Sequence, residues 1–366
     1  MTIPREIVRK AITFRHPERI PRDLWVLPWA TDHSPEAVAE VQRRFPSDFA
    51  GSPIVYKASP RSKGEMYRKG TFVDEWGCRF VNIQDGVQGE VREPLLVDLR
   101  RWQEVKPPYE ILPQEPEKAR SVVNKFYAKS DKFVLAGCCP RPWERYQFIR
   151  GSEQSLMDMA APGEEVVELL NLIHDFYLAE MQFWVTTEVD AISFMDDWGS
   201  QHGLLIHPDT WRELFKPLYR DYCEFSHGYG KFAFMHSDGN ISEIFEDLVE
   251  MGVDAINSQL FCMDIADLAR RVKGKITFWG EIDRQHILPS PDPEEGRKAV
   301  REVAKHLYDP AGGIIAQLEF GAGANPVTVM AVYEEWERVP ELFAKSSGAD
   351  PSGRARSRKG GSRRVR

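Results

Sequence analysis

The chain has 366 residues, 42% apolar and 28% charged, with a formal net charge of −8 at pH 7. That length accommodates one α/β barrel of roughly 250 residues with insertions, and the composition is that of a globular fold. No apolar run reaches the roughly 18 residues of a membrane span, and the opening Met1-Thr2-Ile3-Pro4-Arg5-Glu6 lacks a signal-peptide core, so the sequence reads as cytoplasmic. The cysteines, Cys78, Cys138, Cys139, Cys223 and Cys262, are odd in number and contain no CxxC pair, which argues against a disulfide framework and a four-cysteine zinc knuckle.

Short apolar runs alternate with longer amphipathic segments, the pattern of a parallel α/β architecture. Eight strands are predicted at 24–29, 49–55, 133–138, 191–195, 232–235, 255–258, 276–279 and 314–318. Between the second and third, residues 65–94 are rich in glycine and aromatics and read as a β-hairpin or small antiparallel patch over the barrel mouth. Helices are predicted over 116–128, 142–160 and 163–187, the last two forming an insertion before the fourth strand. Later helices carry clearer punctuation. Residues 208–227 start on Pro208 and stop before Gly228; 240–251 are capped by Asn240 and stopped by Gly252; 293–307 and 326–344 each begin on proline. Residues 1–345 therefore read as a single (β/α)8 TIM barrel with a hairpin excursion and extra helices; splitting a doubly wound sheet would produce the same count. Residues 346–366 are rich in Gly, Ser and Arg and carry almost no large apolar group, so they are expected to be a disordered basic tail. The rest of the chain is acidic, and nucleic acid is not expected as a partner.

In such a barrel the functional side chains sit where strands end and βα loops begin. The fourth strand runs into Met195-Asp196-Asp197-Trp198, the fifth into His236-Ser237-Asp238-Gly239, the sixth into Asn257-Ser258-Gln259, the seventh into Gly280-Glu281 and the eighth into Leu318-Glu319. His236 and Asp238 are two apart, so extended backbone points both to one side. Such a pair can hold a metal, act as an oriented acid–base couple, or be a buried histidine beside a helix-capping aspartate. Glu319 or Glu281 could complete a metal site from a neighbouring strand. Of the two aspartates on the fourth strand, Asp196 is expected in the lumen and Asp197 in an ion pair with Arg212 or Lys216. Arg141 and Arg145 are candidates for binding substrate carboxylates, Trp25, Trp29, Trp143, Tyr146 and Trp198 for an aromatic pocket or for core packing, and a thiol of Cys138-Cys139 could face the site or be a buried, inert cysteine. No dinucleotide, P-loop, nucleophile-elbow or HExxH motif is present.

Five stretches in order resemble the uroporphyrinogen decarboxylase superfamily, which also contains the corrinoid-dependent methyltransferases. They are Arg9 through Pro21, Arg150-Gly151-Ser152-Glu153, His236 through Asn240 with Gly252-Val253-Asp254, Phe278 through Asp283, and Gly321 through Pro326. The resemblance spans residues 5–344 and implies a (β/α)8 barrel. Methyltransferase members hold zinc through His-x-Cys after the fifth strand and a third cysteine after the eighth. Here the corresponding positions carry His236, Asp238 and, in place of the third ligand, Ala322 with Glu319 nearby. The arginine motif by which true decarboxylases grip their substrate falls on Leu24-Trp25-Val26-Leu27-Pro28-Trp29, which has no arginine.

The resemblance therefore implies a metal-dependent methyltransferase acting with a corrinoid protein or a small methyl donor. His236, Asp238 and Glu319 would hold zinc. His236, Asp196 and Glu281 would be catalytic, and Trp25, Arg141, Arg145, Trp198 and Gln259 would bind a small-molecule substrate. The alternatives are a metal-free decarboxylase or lyase, with Asp196 stabilising a cation and His236 delivering a proton, and a non-catalytic corrinoid- or tetrapyrrole-binding barrel.

Overall fold

In the computed structural model, which describes residues 2–346, eight parallel strands form a nearly closed barrel. In chain order they are β1 (Arg22–Val26), β2 (Phe49–Gly51), β6 (Phe133–Leu135), β7 (Ala191–Met195), β8 (Phe232–Ser237), β9 (Ala255–Ser258), β10 (Thr277–Trp279) and β11 (Ile314–Phe320). Between β2 and β6 a separate antiparallel sheet is built from β3 (Gly70–Val73), β4 (Arg79–Asn82) and β5 (Glu90–Glu93). The barrel ladder runs β1-β11-β10-β9-β8-β7-β6-β2. Its two end strands meet where the Asp48 amide donates to the Arg22 carbonyl at 2.8 Å. A doubly wound sheet reverses direction at a switch point; this order does not, and that alternative is set aside. No helix among the described residues is long and apolar enough to cross a membrane. The basic tail expected over 346–366 lies, from residue 347 onward, outside the described residues.

Strand alternation divides the interior into layers. Phe49, Phe133, Ala191, Phe234, Ala255, Trp279 and Ile315 point inward and pack together, and Val8 and Ile12 of the helix Pro4–Ile12 close the barrel's N-terminal end beneath them. Their outward neighbours, among them Ile192, Phe194, Ala233, Met235, Ile256 and Phe278, belong to the larger core beneath the helices. Above the aromatic floor the same inward positions turn polar: His236 follows Phe234, Asn257 follows Ala255, and Gln317 and Glu319 follow Ile315.

Several boundaries differ from expectation for local reasons. The first strand stops at Val26, because Pro28 opens a short helix, Pro28–His33, that carries Trp29 out of the sheet. The second and third strands end at Gly51 and Leu135. The stretch 142–160 breaks at Gly151, which adopts φ 79° and separates Pro142–Arg150 from Ser152–Ala160. The stretch 208–227 breaks at Phe215, because Pro217 cannot donate a helical hydrogen bond. Asn240 caps no α-helix: its Oδ1 accepts from Ser242, a 3₁₀ turn follows, and the helix proper is Phe245–Met251.

Candidate active site

β7 and β8 place the central group. Met195 pairs with His236 in register, so the loops after both strands leave the barrel side by side. They are held together by glycine against glycine: a Cβ on Gly199 would lie 2.3 Å from the Asn240 amide nitrogen, and one on Gly239 would lie 2.1 Å from the Gly199 carbonyl. This contact brings Asp197 beside Asp238, whose amide donates to Asp197 Oδ1 at 3.0 Å. His236 Nε2 lies 3.4 Å from Asp197 Oδ1 and 3.6 Å from Asp238 Oδ1. One donor atom from each of the three residues falls within 4.8 Å of the others.

A second set of residues orients the imidazole. Asn257, paired with His236 in the β8–β9 ladder, donates through Nδ2 to the Trp279 carbonyl at 2.5 Å and to Gln317 Oε1 at 2.9 Å. Its Oδ1 therefore faces His236 Nδ1, 2.6 Å away, and accepts its proton. That bond leaves Nε2 turned towards the two aspartates, the orientation a metal-binding or proton-transferring histidine needs. The Trp25 ring packs against His236 at a centroid distance of 5.3 Å and against Trp279 at 5.2 Å. Both indoles donate to the buried Asp23 carboxylate, at 3.0 and 3.1 Å.

Electrostatics follow from crowding charge in a buried cup. Burial opposes a charge on His236, but its hydrogen bond to Asp197 and the charges of Asp238 and Asp197 outweigh that and push the imidazole up to about 10. Burial raises the Asp238 carboxyl, the His236 charge opposes the rise and Asp197 adds to it; Asp238 Oδ1 is buried without a hydrogen-bond partner. Burial also works against the Asp197 anion, but His236 prevails and holds that carboxyl below its ordinary range. On the far side Arg284 donates to Asp238 and, at 3.0 Å, to Glu319 Oε1, with Glu281 Oε1 3.8 Å away. Burial pushes Glu281 up to about 8, so at neutral pH this carboxyl is mostly protonated. Its Oε2 is buried and unpartnered.

The structure brings together His236 and Asp238 as expected, but the third donor is Asp197. Glu319 stands outside that group, bonded to Arg284, and Ala322 carries no ligand atom. The two neighbouring aspartates exchange places. Asp196 is fully buried, accepting from the Trp143 and Glu144 amides at 2.9 and 2.6 Å and from the Tyr219 hydroxyl at 2.5 Å. It caps the helix Pro142–Arg150 from a neighbouring strand. Arg212 and Lys216, expected to pair with Asp197, pair with Asp247. Trp198 is also fully buried, donating to Tyr219 and packing on Trp143 and Phe215, so its ring is core and meets no substrate. Trp143 and Tyr146 belong to the same core, and Trp29 stacks on His33.

Two cavities open near the strand ends. A small one of about 70 Å³, between the loops after β9 and β10, is lined by Gln259, Cys262, Glu281, Asp283 and Arg284. Gln259 also accepts from the Gly239 amide at 3.0 Å, bracing the loop that carries Asp238. A larger one of about 220 Å³ lies after β6, beneath the β3–β5 sheet, and is lined by Arg141, Arg145, Cys139, Tyr177 and Glu180 among others. Arg145 is already engaged there: it donates to Asp74 and, at 3.1 Å, to Glu75. Burial raises the Cys139 thiol, which argues against a resident thiolate. Glu144 was missed by the sequence reading, as were Asp197, Asn257 and Arg284 as site members. Its Oε2 is buried without a hydrogen bond, 3.6 Å from Arg141, and its carboxyl is raised by burial and by Asp197 against the pull of Arg141 and His236.

A family model described as uroporphyrinogen decarboxylase matches residues 72–337, well over half of the chain. The chain belongs to the uroporphyrinogen decarboxylase family. A solved methyltransferase from Methanosarcina mazei superposes with a TM-score of 0.66 at 14% identity, over 94% of this chain and all of that one. At that identity the likeness establishes the shared barrel. A B12-independent methionine synthase from Shewanella sp. W3-18-1 aligns over 63% of this chain and 67% of its own, with a TM-score of 0.40 and 12% identity. Among curated proteins none matches the chain. The cluster Asp197, His236 and Asp238 offers one imidazole and two carboxylates, unlike the His, Cys, Cys set implied by the resemblance to methyltransferases.

Proposed function

We propose that this family member is a metal-dependent methyltransferase, with the ion held by Asp197, His236 and Asp238 and the methyl group arriving on a corrinoid protein or a small donor. The observation that carries the reading is the convergence of three donor atoms within 4.8 Å around an imidazole whose Nδ1 is tied to Asn257. The fit is supported by Asp238 Oδ1, a buried oxygen without a hydrogen-bond partner that an ion would satisfy. Three protein ligands with an open fourth position suit zinc in a catalytic site, and one nitrogen among oxygens makes a harder site than a cysteine-rich one. A metal bound there supplies a Lewis acid that favours the deprotonated form of the methyl acceptor. The chain's own groups do the rest. Asn257 fixes the ring, Arg284 holds Asp238, and the mostly neutral Glu281 carries a proton at the rim of the same cup. The methyltransferase likeness of the Methanosarcina mazei structure favours this reading over its alternatives.

A second reading, metal-free decarboxylation, is favoured by one observation. His236 Nε2 lies 3.4 Å from Asp197 and 3.6 Å from Asp238, and, against burial, these two carboxylates push the imidazole up to about 10, an imidazolium able to deliver a proton. Full burial keeps Asp196 from the cation-stabilising part that reading first gave it.

Elemental analysis of protein purified with zinc, in wild type, His236→Ala and Asp197→Ala, decides between them. Methyl transfer predicts about one ion per chain in wild type and loss in both variants, with chelator-sensitive turnover of methylcobalamin. Protein that takes up no ion, or that releases carbon dioxide unaffected by chelators, rejects it.

A further inference from the structure

The cavity after β6 is separate from the three metal-donor residues and has its own unspent chemistry. Arg141 donates only a long bond from Nε to the Cys139 carbonyl, at 3.4 Å, and sits 3.6 Å from Glu144 without a hydrogen bond. Its terminal nitrogens reach no carboxylate or carbonyl oxygen within hydrogen-bond distance among the described residues; their neighbours are the Cys139 thiol and Glu144, and the side chain lines the cavity. Arg145, 6% exposed, is neutralised by Asp74 and Glu75, yet its Nε is buried and unpartnered. Glu180, 7% exposed, is pushed up to about 7 by burial and is hydrogen-bonded to Tyr56, so it does not fully cancel Arg141 at neutral pH. The remaining walls are aromatic: Trp76, Phe148, Phe176 and Tyr177.

We propose that this cavity binds a small monocarboxylate with an apolar or aromatic body, its carboxylate gripped by the free face of Arg141. A guanidinium in a low-dielectric wall whose terminal donors are not engaged by a carboxylate at hydrogen-bond distance recognises a planar carboxylate through two parallel bonds. The volume of about 220 Å³ corresponds to a ligand on the order of ten non-hydrogen atoms. Arg141 and Arg145 face Asp74, Glu75 and the partly neutral Glu180, so the cavity holds no surplus of positive charge: it has room for one carboxylate on the unused donors of Arg141 and repels a polyanion. Both the size and the charge exclude a polycarboxylated macrocycle. Glu144 links the cavity to the neighbouring site, since its carboxyl lies by Arg141 and feels the charges of Asp197 and His236. The inference deepens the methyl-transfer reading by naming a substrate class, and rests on that reading only for the fate of the bound acid.

Calorimetric titration tests it, with benzoate, phenylacetate and 3-phenylpropionate, their neutral amides, and inorganic phosphate, each on zinc-loaded and on chelator-treated protein. At least one acid is expected to bind at least about tenfold more tightly than its amide, and Arg141→Gln is expected to abolish that preference. The acid–amide comparison on wild type stands even if the variant folds poorly. Equal binding of acid and amide, no binding by any acid, tighter binding of phosphate, or a preference kept in folded Arg141→Gln each overturns the proposal. Acid binding in protein that takes up no zinc would sink the metal reading and leave this one standing.

Discussion

Replacing Asn257 by leucine removes the group that orients His236 while keeping its volume close. Asn257 is fully buried and makes three bonds, to His236 Nδ1, the Trp279 carbonyl and Gln317 Oε1, at 2.6, 2.5 and 2.9 Å. Each buried partner left stranded costs about 1–3 kcal/mol. Gln317 can rotate to recover part of its loss, so two full penalties apply and the fold should lose about 2–6 kcal/mol. That lies within the stability of an ordinary domain, and the variant should still be folded at room temperature. The ring, no longer held by Nδ1, can present the wrong nitrogen or rotate. Loss of such an outer partner typically weakens a metal site about 10- to 100-fold. Urea unfolding measures the first quantity and competition for zinc against a chromophoric chelator the second. If Asn257→Leu takes up zinc as wild type does and unfolds within about 1 kcal/mol of it, the orienting role assigned to Asn257 is wrong.

Other outcomes follow from the same geometry. Asp196→Ala strands the Trp143 and Glu144 amides and the Tyr219 hydroxyl, so thermal unfolding should show a loss of about 3 kcal/mol while zinc stoichiometry is kept; loss of the ion at unchanged stability would instead place Asp196 in the site. Glu180 is raised by burial from 4.5 to about 7, so its neutral form is the one the fold favours. Its contribution is complete below pH 4.5 and is lost as pH rises through 7, a change on the order of 3 kcal/mol. Glu180→Gln should therefore flatten the fall in stability between those pH values, as read from denaturant midpoints; an unchanged slope would show that the carboxyl titrates normally.

Much of the barrel could be read from the chain because each strand carries its own apolar signal. The runs at 191–195 and 255–258 became β7 and β9 with the bounds expected, and Pro293–Leu307 began and ended on its predicted residues. The misread aspartates show what was available but unused. Ile192 and Phe194 are the bulky residues that pack under the helices, so Asp196 shares their outward face and Asp197 the inward face of Ala191. Bulk alternation along that strand pointed to this assignment, whereas proximity to Arg212 and Lys216 in sequence did not. Asn257 is recognisable only once its strand is known to lie in register with His236, since an asparagine at a strand end has many uses.

The linear chain by itself determined the order of strands and helices, the acidic mouth and the pairing of His236 with Asp238, because these depend on period, punctuation and nearest neighbours. Tertiary structure decided the rest: that Asp197 and not Glu319 stands beside His236 and Asp238, that Asp196 and Trp198 are buried, and that the terminal nitrogens of Arg145 are spent on Asp74 and Glu75 while those of Arg141 reach no carboxylate at hydrogen-bond distance. Those outcomes depend on which side chains from distant segments reach the same few ångströms, and on how many hydrogen bonds each has already spent. Local sequence records neither quantity.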